Sequence, residues 1–177
     1  RHKMSMVVRM PYGGGIHAPE HHSESYESIF AHTPGMKVVI PSTPYDAKGL
    51  LISAIRDDDP VLFLEPKRIY RAFREEIPTE AYTVPIGKAK VVKEGEDITF
   101  VAYGAMMRPT LEAAEVLKSE GIKAEVIDLR TIMPLDQDTV VESVTKTGRC
   151  VVVHEAPRFS SISSEICALI NEKALLH

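Results

Sequence analysis

Tryptophan is absent from this chain of 177 residues, and there are only two cysteines. Cys150 and Cys167 lie far apart in apolar patterns. A disulfide framework is therefore set aside in favour of buried, reduced thiols in an intracellular protein. Charge of one sign is also lacking: 21 Lys and Arg face 25 Asp and Glu, for a net charge of −4, and the basic residues are scattered. A nucleic-acid binder would show a basic patch or stripe instead. No apolar run approaches the roughly 20 residues of a membrane span. Low-complexity tracts and internal repeats are missing too. With 44% hydrophobic and 26% charged residues, what remains is an ordinary composition, long enough for one or two α/β units with real cores. The chain opens on a strand pattern and stops inside a helical one that reaches Leu175 and Leu176. Both ends are expected to continue in a longer protein, so a targeting peptide would lie out of sight.

The residues that suggest chemistry gather in one stretch, 13–30. Gly13, Gly14 and Gly15 are followed by His17, His21 and His22 and by Glu20 and Glu24. The stretch follows a β-type run and precedes a short helical pattern, which puts it in a loop at a strand's C-terminal end. In open α/β sheets that edge is where ligands bind. Glycines let backbone approach a neighbour closely, and histidine, with an ordinary pKa of about 6.5, exchanges protons near neutrality. The glycines form no dinucleotide fingerprint or phosphate loop. Zinc on the three imidazoles is a weaker reading, because His17 and His21 lie in a proline-containing loop without a Glu-x-x-His or cysteine pairing. A surface connection is the plainest alternative.

Strands are expected over residues 4–10, 37–40, 61–64, 87–93, 98–103, 124–127 and 150–153, with helices between them. The short apolar runs read as buried parallel strands. Residues 87–93 and 98–103 flank a turn at 94–97. Residues 25–31 form the first helix. The next is the best specified: Thr43 as N-cap, Pro44 at N1 and Asp46 three residues after Thr43, then Ala47, Leu50, Leu51, Ala54 and Ile55 on one face. Pro109 is expected to start a helix and Gly121 to end it. Asp136 caps a helix that Gly148 closes, and Ser163 or Ser164 opens the last. Alternation of strand and helix implies parallel sheets with helical crossovers. Asp57, Asp58 and Asp59 sit at a helix C-terminus, against unpaired carbonyls and the negative dipole end, so a cation is wanted there. Arg56, an ion held by carbonyl and carboxylate oxygens, or plain solvation would serve.

Read in order, the motifs resemble one family. They are Pro19-Glu20-His21-His22-Ser23-Glu24-Ser25, Pro34-Gly35-Met36-Lys37-Val38-Val39-Ile40-Pro41, and Ile55-Arg56-Asp57-Asp58-Asp59-Pro60. Glu65-Pro66-Lys67, Asp128-Leu129-Arg130-Thr131 and His154-Glu155-Ala156 complete the series. The chain resembles the beta subunit of the thiamine-diphosphate-dependent 2-oxo acid dehydrogenase component, of pyruvate or branched-chain type, in the transketolase-like superfamily. The resemblance implies an α/β fold of two domains with mainly parallel sheets. Residues 1–78 would be the C-terminal portion of a pyrimidine-binding domain, 79–86 a linker, and 87–177 an incomplete transketolase-type C-terminal domain.

It further implies thiamine diphosphate with Mg²⁺ held largely by an alpha subunit, an alpha2-beta2 heterotetramer with beta–beta contact, and a lipoyl acyltransferase core as partner. The cofactor-activating Glu would precede the region given. His22 matches the family's histidine that assists acyl transfer to lipoyl. Ala54, Ile55, Asp57 and Asp59 match a potassium site, Asp59 standing where Asn is frequent. The expected compartment is a bacterial or archaeal cytoplasm, with mitochondrial matrix or plastid as alternatives. Other roles implied are a non-catalytic docking module of the same complex, or a transketolase or deoxyxylulose-phosphate synthase relative. One departure stands out: Phe159-Ser160-Ser161-Ile162-Ser163-Ser164 replaces a glycine-rich turn, and serine takes positive φ less cheaply than glycine.

Overall fold

Thr43 and Pro44 open their helix as local chemistry requires. Thr43 is extended, its hydroxyl oxygen accepts the Asp46 N–H at 3.0 Å, and its hydroxyl hydrogen reaches the Asp46 carboxylate at 3.0 Å. The computed structural model describes residues 3–17, 20 and 22–174, so Leu175 and Leu176 lie outside it. In chain order the elements are β1 (Val7–Tyr12), α1 (Glu27–Ala31), β2 (Lys37–Val39), α2 (Pro44–Ile55), β3 (Val61–Pro66), β4 (Lys90–Lys93), β5 (Ile98–Ala102), α3 (Met107–Ser119), β6 (Ala124–Asp128), β7 (Thr131–Met133), α4 (Gln137–Thr147), β8 (Cys150–Val153) and α5 (Ile162–Lys173).

Two four-stranded sheets result, ordered β1-β3-β2-β7 and β4-β6-β5-β8. Pairing is parallel except for β7 against β2 and β4 against β6. The architecture is thus the α/β fold with mainly parallel sheets flanked by helices. Among the described residues no helix is long and apolar enough to cross a membrane.

Long-range pairing moved several boundaries. The first strand runs Val7–Tyr12 rather than 4–10, in register with Val61–Pro66. The first helix starts at Glu27, α3 starts at Met107, two residues before Pro109, and Ser161 rather than Ser163 or Ser164 precedes α5. The strands around residues 94–97 do not pair with each other, because β6 lies between them. Glu96 and Asp97 donate their N–H groups to the Lys123 carbonyl at 3.1 and 3.0 Å, which docks that turn on the start of β6. Ile55 is 63% exposed and leaves the apolar face of α2, whose buried members are Asp46, Gly49, Leu50 and Ala54.

Strand β7 has no signal in the sequence: it is three residues long and followed by Pro134. It forms because the chain reverses at Arg130, whose φ is +55, and leaves the second sheet for the first. Arg130 then ties distant segments together. Its guanidinium meets the Asp46 carboxylate at 3.1 Å and the Lys88 and Ala89 carbonyls at 3.0 and 3.2 Å, and its carbonyl accepts the Ile40 N–H at 2.8 Å. One buried cluster accordingly spans both sheets, with Tyr12, Ile40 and Leu64 from one and Tyr103, Ile127 and Leu129 from the other.

The C-terminal edges of the two sheets face each other across this core. Gly104, just past β5, has φ of +57 and donates its N–H to Ser42 Oγ at 3.0 Å. A Cβ there would lie 2.7 Å from the Tyr12 hydroxyl and 3.0 Å from Ile40, so only glycine lets the edges approach.

Candidate active site

Because β1 and β3 are parallel, Tyr12 and Pro66 end on the same edge, and the glycine–histidine loop departs from it. Its neck is closed by the Gly13 N–H, which donates to the Glu24 carbonyl at 2.9 Å. Gly13 has φ of +86 and Gly15 +81, values glycine takes freely. His17 and Glu20 also take positive φ, +53 and +49. For residues with a side chain that conformation costs about 1–2 kcal/mol each. The loop is held in a shape its own residues resist.

His22 is exposed on this rim. Its Nδ1 lies against the Glu20 carbonyl, and the Lys67 ammonium, just past β3, donates to the His22 carbonyl. A carbonyl can only accept, so Nδ1 carries the proton and Nε2 is the nitrogen left to exchange one. His17 is exposed as well, whereas His21 lies outside the described residues. Among the described residues no three His, Cys, Asp or Glu side chains are placed to hold a metal ion.

Behind the loop lies a buried polar cluster that sequence reasoning missed. Glu27, the first residue of α1, is 1% exposed and accepts the Tyr103 hydroxyl at 2.8 Å. Glu155, just past β8, accepts the Gly14 N–H at 2.8 Å. The Tyr12 hydroxyl, Ser25 Oγ, Glu27 Oε2 and His154 Nδ1 are buried without a hydrogen-bond partner among the described residues. The Tyr103 and His154 rings are parallel, with centroids 6.4 Å apart. Burial raises the Glu27 carboxyl and lowers the His154 imidazole, and it raises both tyrosines, helped by the nearby Glu27 charge. Low dielectric thus favours the uncharged form of each group.

Asp128, at the end of β6, belongs to the same rim. Its carboxylate accepts the Arg130 N–H at 3.1 Å. Full burial pushes it up to about 7, the Asp46 charge adding to the shift, while the Ser42 hydroxyl and Arg130 oppose it. Of this cluster, the sequence marked the segments carrying His154, Glu155, Asp128 and Ser25, without singling out Glu27 or Tyr103 as site residues. A glutamate opening an apolar helix, and a tyrosine directly after a buried strand, were the available hints for Glu27 and Tyr103.

Two family models match the chain: the transketolase pyrimidine binding domain over residues 1–72, and the transketolase C-terminal domain over residues 87–177. The chain belongs to the transketolase family. Within that family it is 56% identical over 171 residues to the pyruvate dehydrogenase E1 component subunit beta of Bacillus subtilis (strain 168). It is 56% identical over 172 residues to the subunit of the same name from Acholeplasma laidlawii. Each match covers 97% of this chain and 53% of the relative, so the chain spans about half the length of the curated relatives it matches. A solved split gene transketolase, described as an inactive beta4 tetramer, superposes with a TM-score of 0.81. That match has 26% identity and covers 97% of this chain and 55% of that one. Transketolase from Pichia stipitis shares the fold at a TM-score of 0.56 and 18% identity, over 78% of this chain and 21% of that one.

In this transketolase-family chain the acid turn lies at the opposite edge of the first sheet. Lys37, opening β2, supplies the cation: its ammonium contacts the Asp57 carboxylate oxygens at 2.7 and 2.6 Å and lies 3.6 Å from Asp59. Arg56 is exposed and makes no such pair among the described residues. Burial works to raise Asp57, but the Lys37 hydrogen bond and the Asp59 N–H, at 2.9 Å, overcome it and hold the carboxyl below its ordinary range.

The cysteines differ from expectation. Cys167 is exposed on α5, and Cys150 is half-buried, its thiol pushed up to about 12 by burial. Edge position explains the partial exposure of Cys150, since β8 ends its sheet, and Cys167 follows the buried Ile166 on α5. In the serine segment that replaces the glycine-rich turn, Ser160 takes φ of +53 and Phe159 is 91% exposed.

Proposed function

We propose that this chain is part of the beta subunit of a pyruvate-type 2-oxo acid dehydrogenase component, with transfer of the acyl group to lipoyl on an acyltransferase. The 56% identity to subunits of that name over 97% of the chain carries the reading. His22, solvent-exposed on the C-terminal rim, gives it a chemical role. Thiamine diphosphate, when bound, supplies the stabilised carbanion chemistry by which a 2-oxo acid loses CO₂. An exposed imidazole and a close-approach glycine loop fit one wall of such a site, and Mg²⁺ and the diphosphate are assigned to an alpha subunit in an alpha2-beta2 assembly. This chain adds a proton through His22. As the acyl carbon bonds one lipoyl sulfur, the S–S bond breaks and the other sulfur leaves as thiolate. The protonated Nε2 of His22 supplies its proton.

Changing His22 to Ala in full-length beta, assembled with alpha, thiamine diphosphate and lipoylated acceptor, tests this directly. Acyl transfer should fall by about 10²–10⁴-fold, the usual contribution of a positioned general acid. Undiminished transfer would sink the role. Assay against pyruvate and 3-methyl-2-oxobutanoate separates the pyruvate from the branched-chain type.

Potassium at Ala54, Ile55, Asp57 and Asp59 forms part of the proposal. The chemistry fits: carbonyl oxygens at a helix C-terminus are hard ligands, and Lys37 offsets one of the two negative charges of Asp57 and Asp59, leaving one for a singly charged ion. Thermal unfolding should shift upward in potassium relative to choline at equal ionic strength, and coincident curves would remove the site.

A second reading, assembly without chemistry, draws support from the structural neighbour described as an inactive beta4 tetramer. Retention of lipoyl acyltransferase binding in a His22→Ala subunit that keeps full turnover would favour it. A cytoplasmic setting accompanies either reading, and cell fractionation would decide it.

A further inference from the structure

The rim loop has little apolar anchorage. Gly15, Ile16, His17, Glu20, His22 and Ser23 are all exposed. Segments with few buried apolar contacts open at low free-energy cost, so polar tethers must determine where such a loop rests. Two of the loop's polar tethers leave from the first sheet's own segments or the loop itself: the Gly13–Glu24 neck and the Lys67 contact with the His22 carbonyl. Two come from the second sheet. Tyr103, past β5, holds Glu27 at one end of the loop at 2.8 Å, and Glu155, past β8, holds Gly14 at the other at 2.8 Å.

Glu155 is placed with unusual closeness. A Cβ on Gly13 would lie 2.6 Å from Glu155 Oε1, and one on Gly14 would lie 3.6 Å from Oε2. The glycines at the neck are therefore matched to a carboxylate 141 residues further along the chain. A carboxylate accepting a backbone N–H makes a bond roughly twice as strong as a neutral pair. Among the described residues the Gly14 N–H is the hydrogen-bond donor to Glu155, so its carboxylate serves the loop.

We infer that Glu155 is a positioning residue for His22, through which the C-terminal domain sets where the proton donor sits. The inference rests on the proposed role of His22. It assigns to the second domain a task in acyl transfer that needs no contact with the reacting atoms.

The test uses full-length beta assembled with alpha and supplied with thiamine diphosphate. Decarboxylation is followed with a soluble one-electron oxidant and acyl transfer with a lipoylated acceptor domain. Glu155→Ala should lower acyl transfer by about 10–100-fold, the scale of a 1 Å misplacement, and leave oxidant-coupled decarboxylation within about twofold. Glu155→Gln keeps an acceptor oxygen for the Gly14 N–H and should restore most of the loss. Gly13→Ala, which forces a methyl against Oε1, should reproduce it. The double variant His22→Ala/Glu155→Ala should be no worse than His22→Ala, because both changes act through one group. Hydrogen exchange of the peptide covering residues 13–26 should quicken in Glu155→Ala.

Equal loss of both reactions, an additive double variant, or unchanged exchange in the loop would overturn the inference. Should Glu155→Ala fail to assemble, Gly13→Ala decides by the same split between the two reactions. Loss in His22→Ala without loss in Glu155→Ala removes the inference and leaves the proposed function. Intact acyl transfer in His22→Ala removes the proposed role of His22 and the inference with it, and the exchange measurement still reports whether Glu155 holds the loop.

Discussion

At the N-terminal ends of β2 and β3, Asp57 lies on the Lys37 ammonium and is held below the ordinary carboxylate range. At the C-terminal rim, Glu27 and Asp128 are buried among hydroxyls and other acids and are held above it. The same chemical group, a carboxyl, is pushed in opposite directions on two edges of one fold. Desolvation acts on all three carboxyls. The outcome depends on whether a cation lies close enough to outweigh it. At the N-terminal edge the Lys37 ammonium meets the carboxylates of both Asp57 and Asp59. The rim keeps buried polar atoms without partners among the described residues and an imidazole facing solvent. Unsatisfied groups of this kind are costly, and they persist where a partner from outside the chain completes them.

The sharpest way to break the comparison is by pH. Asp128 has a folded pKa of about 7, against an unfolded value near 3.9, so the folded state binds the extra proton between those limits. Its contribution is therefore present below about pH 4 and lost as pH rises through 7, on the order of 4 kcal/mol or less. Asp128→Asn keeps an oxygen for the Arg130 N–H and removes the titration. Urea midpoints between pH 5 and 8 should fall for the parent and fall less for the variant. Parallel slopes would show that Asp128 is ionised throughout.

The opposite edge should respond with the opposite sign. Lys37→Met leaves Asp57 and Asp59 facing each other at a helix C-terminus and should cost about 2 kcal/mol at pH 7, reduced from the fully buried case by partial exposure. Because Asp57 has a lowered pKa, its stabilisation is present above its unfolded value and lost as pH falls through the folded one. The penalty of Lys37→Met should accordingly shrink below pH 4. A pH-independent penalty would mean that lost packing of the lysine stem is responsible. The smallest expected effect belongs to His22→Ala, within about 0.5 kcal/mol in the same unfolding assay, since the ring is exposed. A large loss there would make His22 a structural residue and close the contrast between the edges.

How much of this was legible in the sequence follows the range of the interactions. Thr43, Pro44 and Asp46 spelled out the start of α2 because a cap is made within four residues. Gly148 closes α4 with φ of +68 for the same local reason. The Asp57–Asp59 turn advertised its need for a cation, yet the cation came from Lys37, 20 residues earlier, rather than from adjacent Arg56. Glu27 and Tyr103 each fall in an element the sequence outlines, but they are 76 residues apart, so their pairing left no trace. His22 was visible as a candidate from its loop, but the tethers that hold it were not.

Hydrophobic spacing, glycine and proline placement and capping residues were enough to specify alternating strands and helices, a glycine-hinged histidine loop at a strand end, and an acid turn at the far edge. Those features depend on neighbours a few positions apart, and the residues carry the necessary information themselves. The insertion of β6 between β4 and β5, the passage of β7 into the other sheet at Arg130, and the meeting of Glu155 with Gly14 depend on partners tens of residues away or more. Such contacts exist only once the shared core of both sheets has formed, and burial there also decides which carboxyls keep their protons.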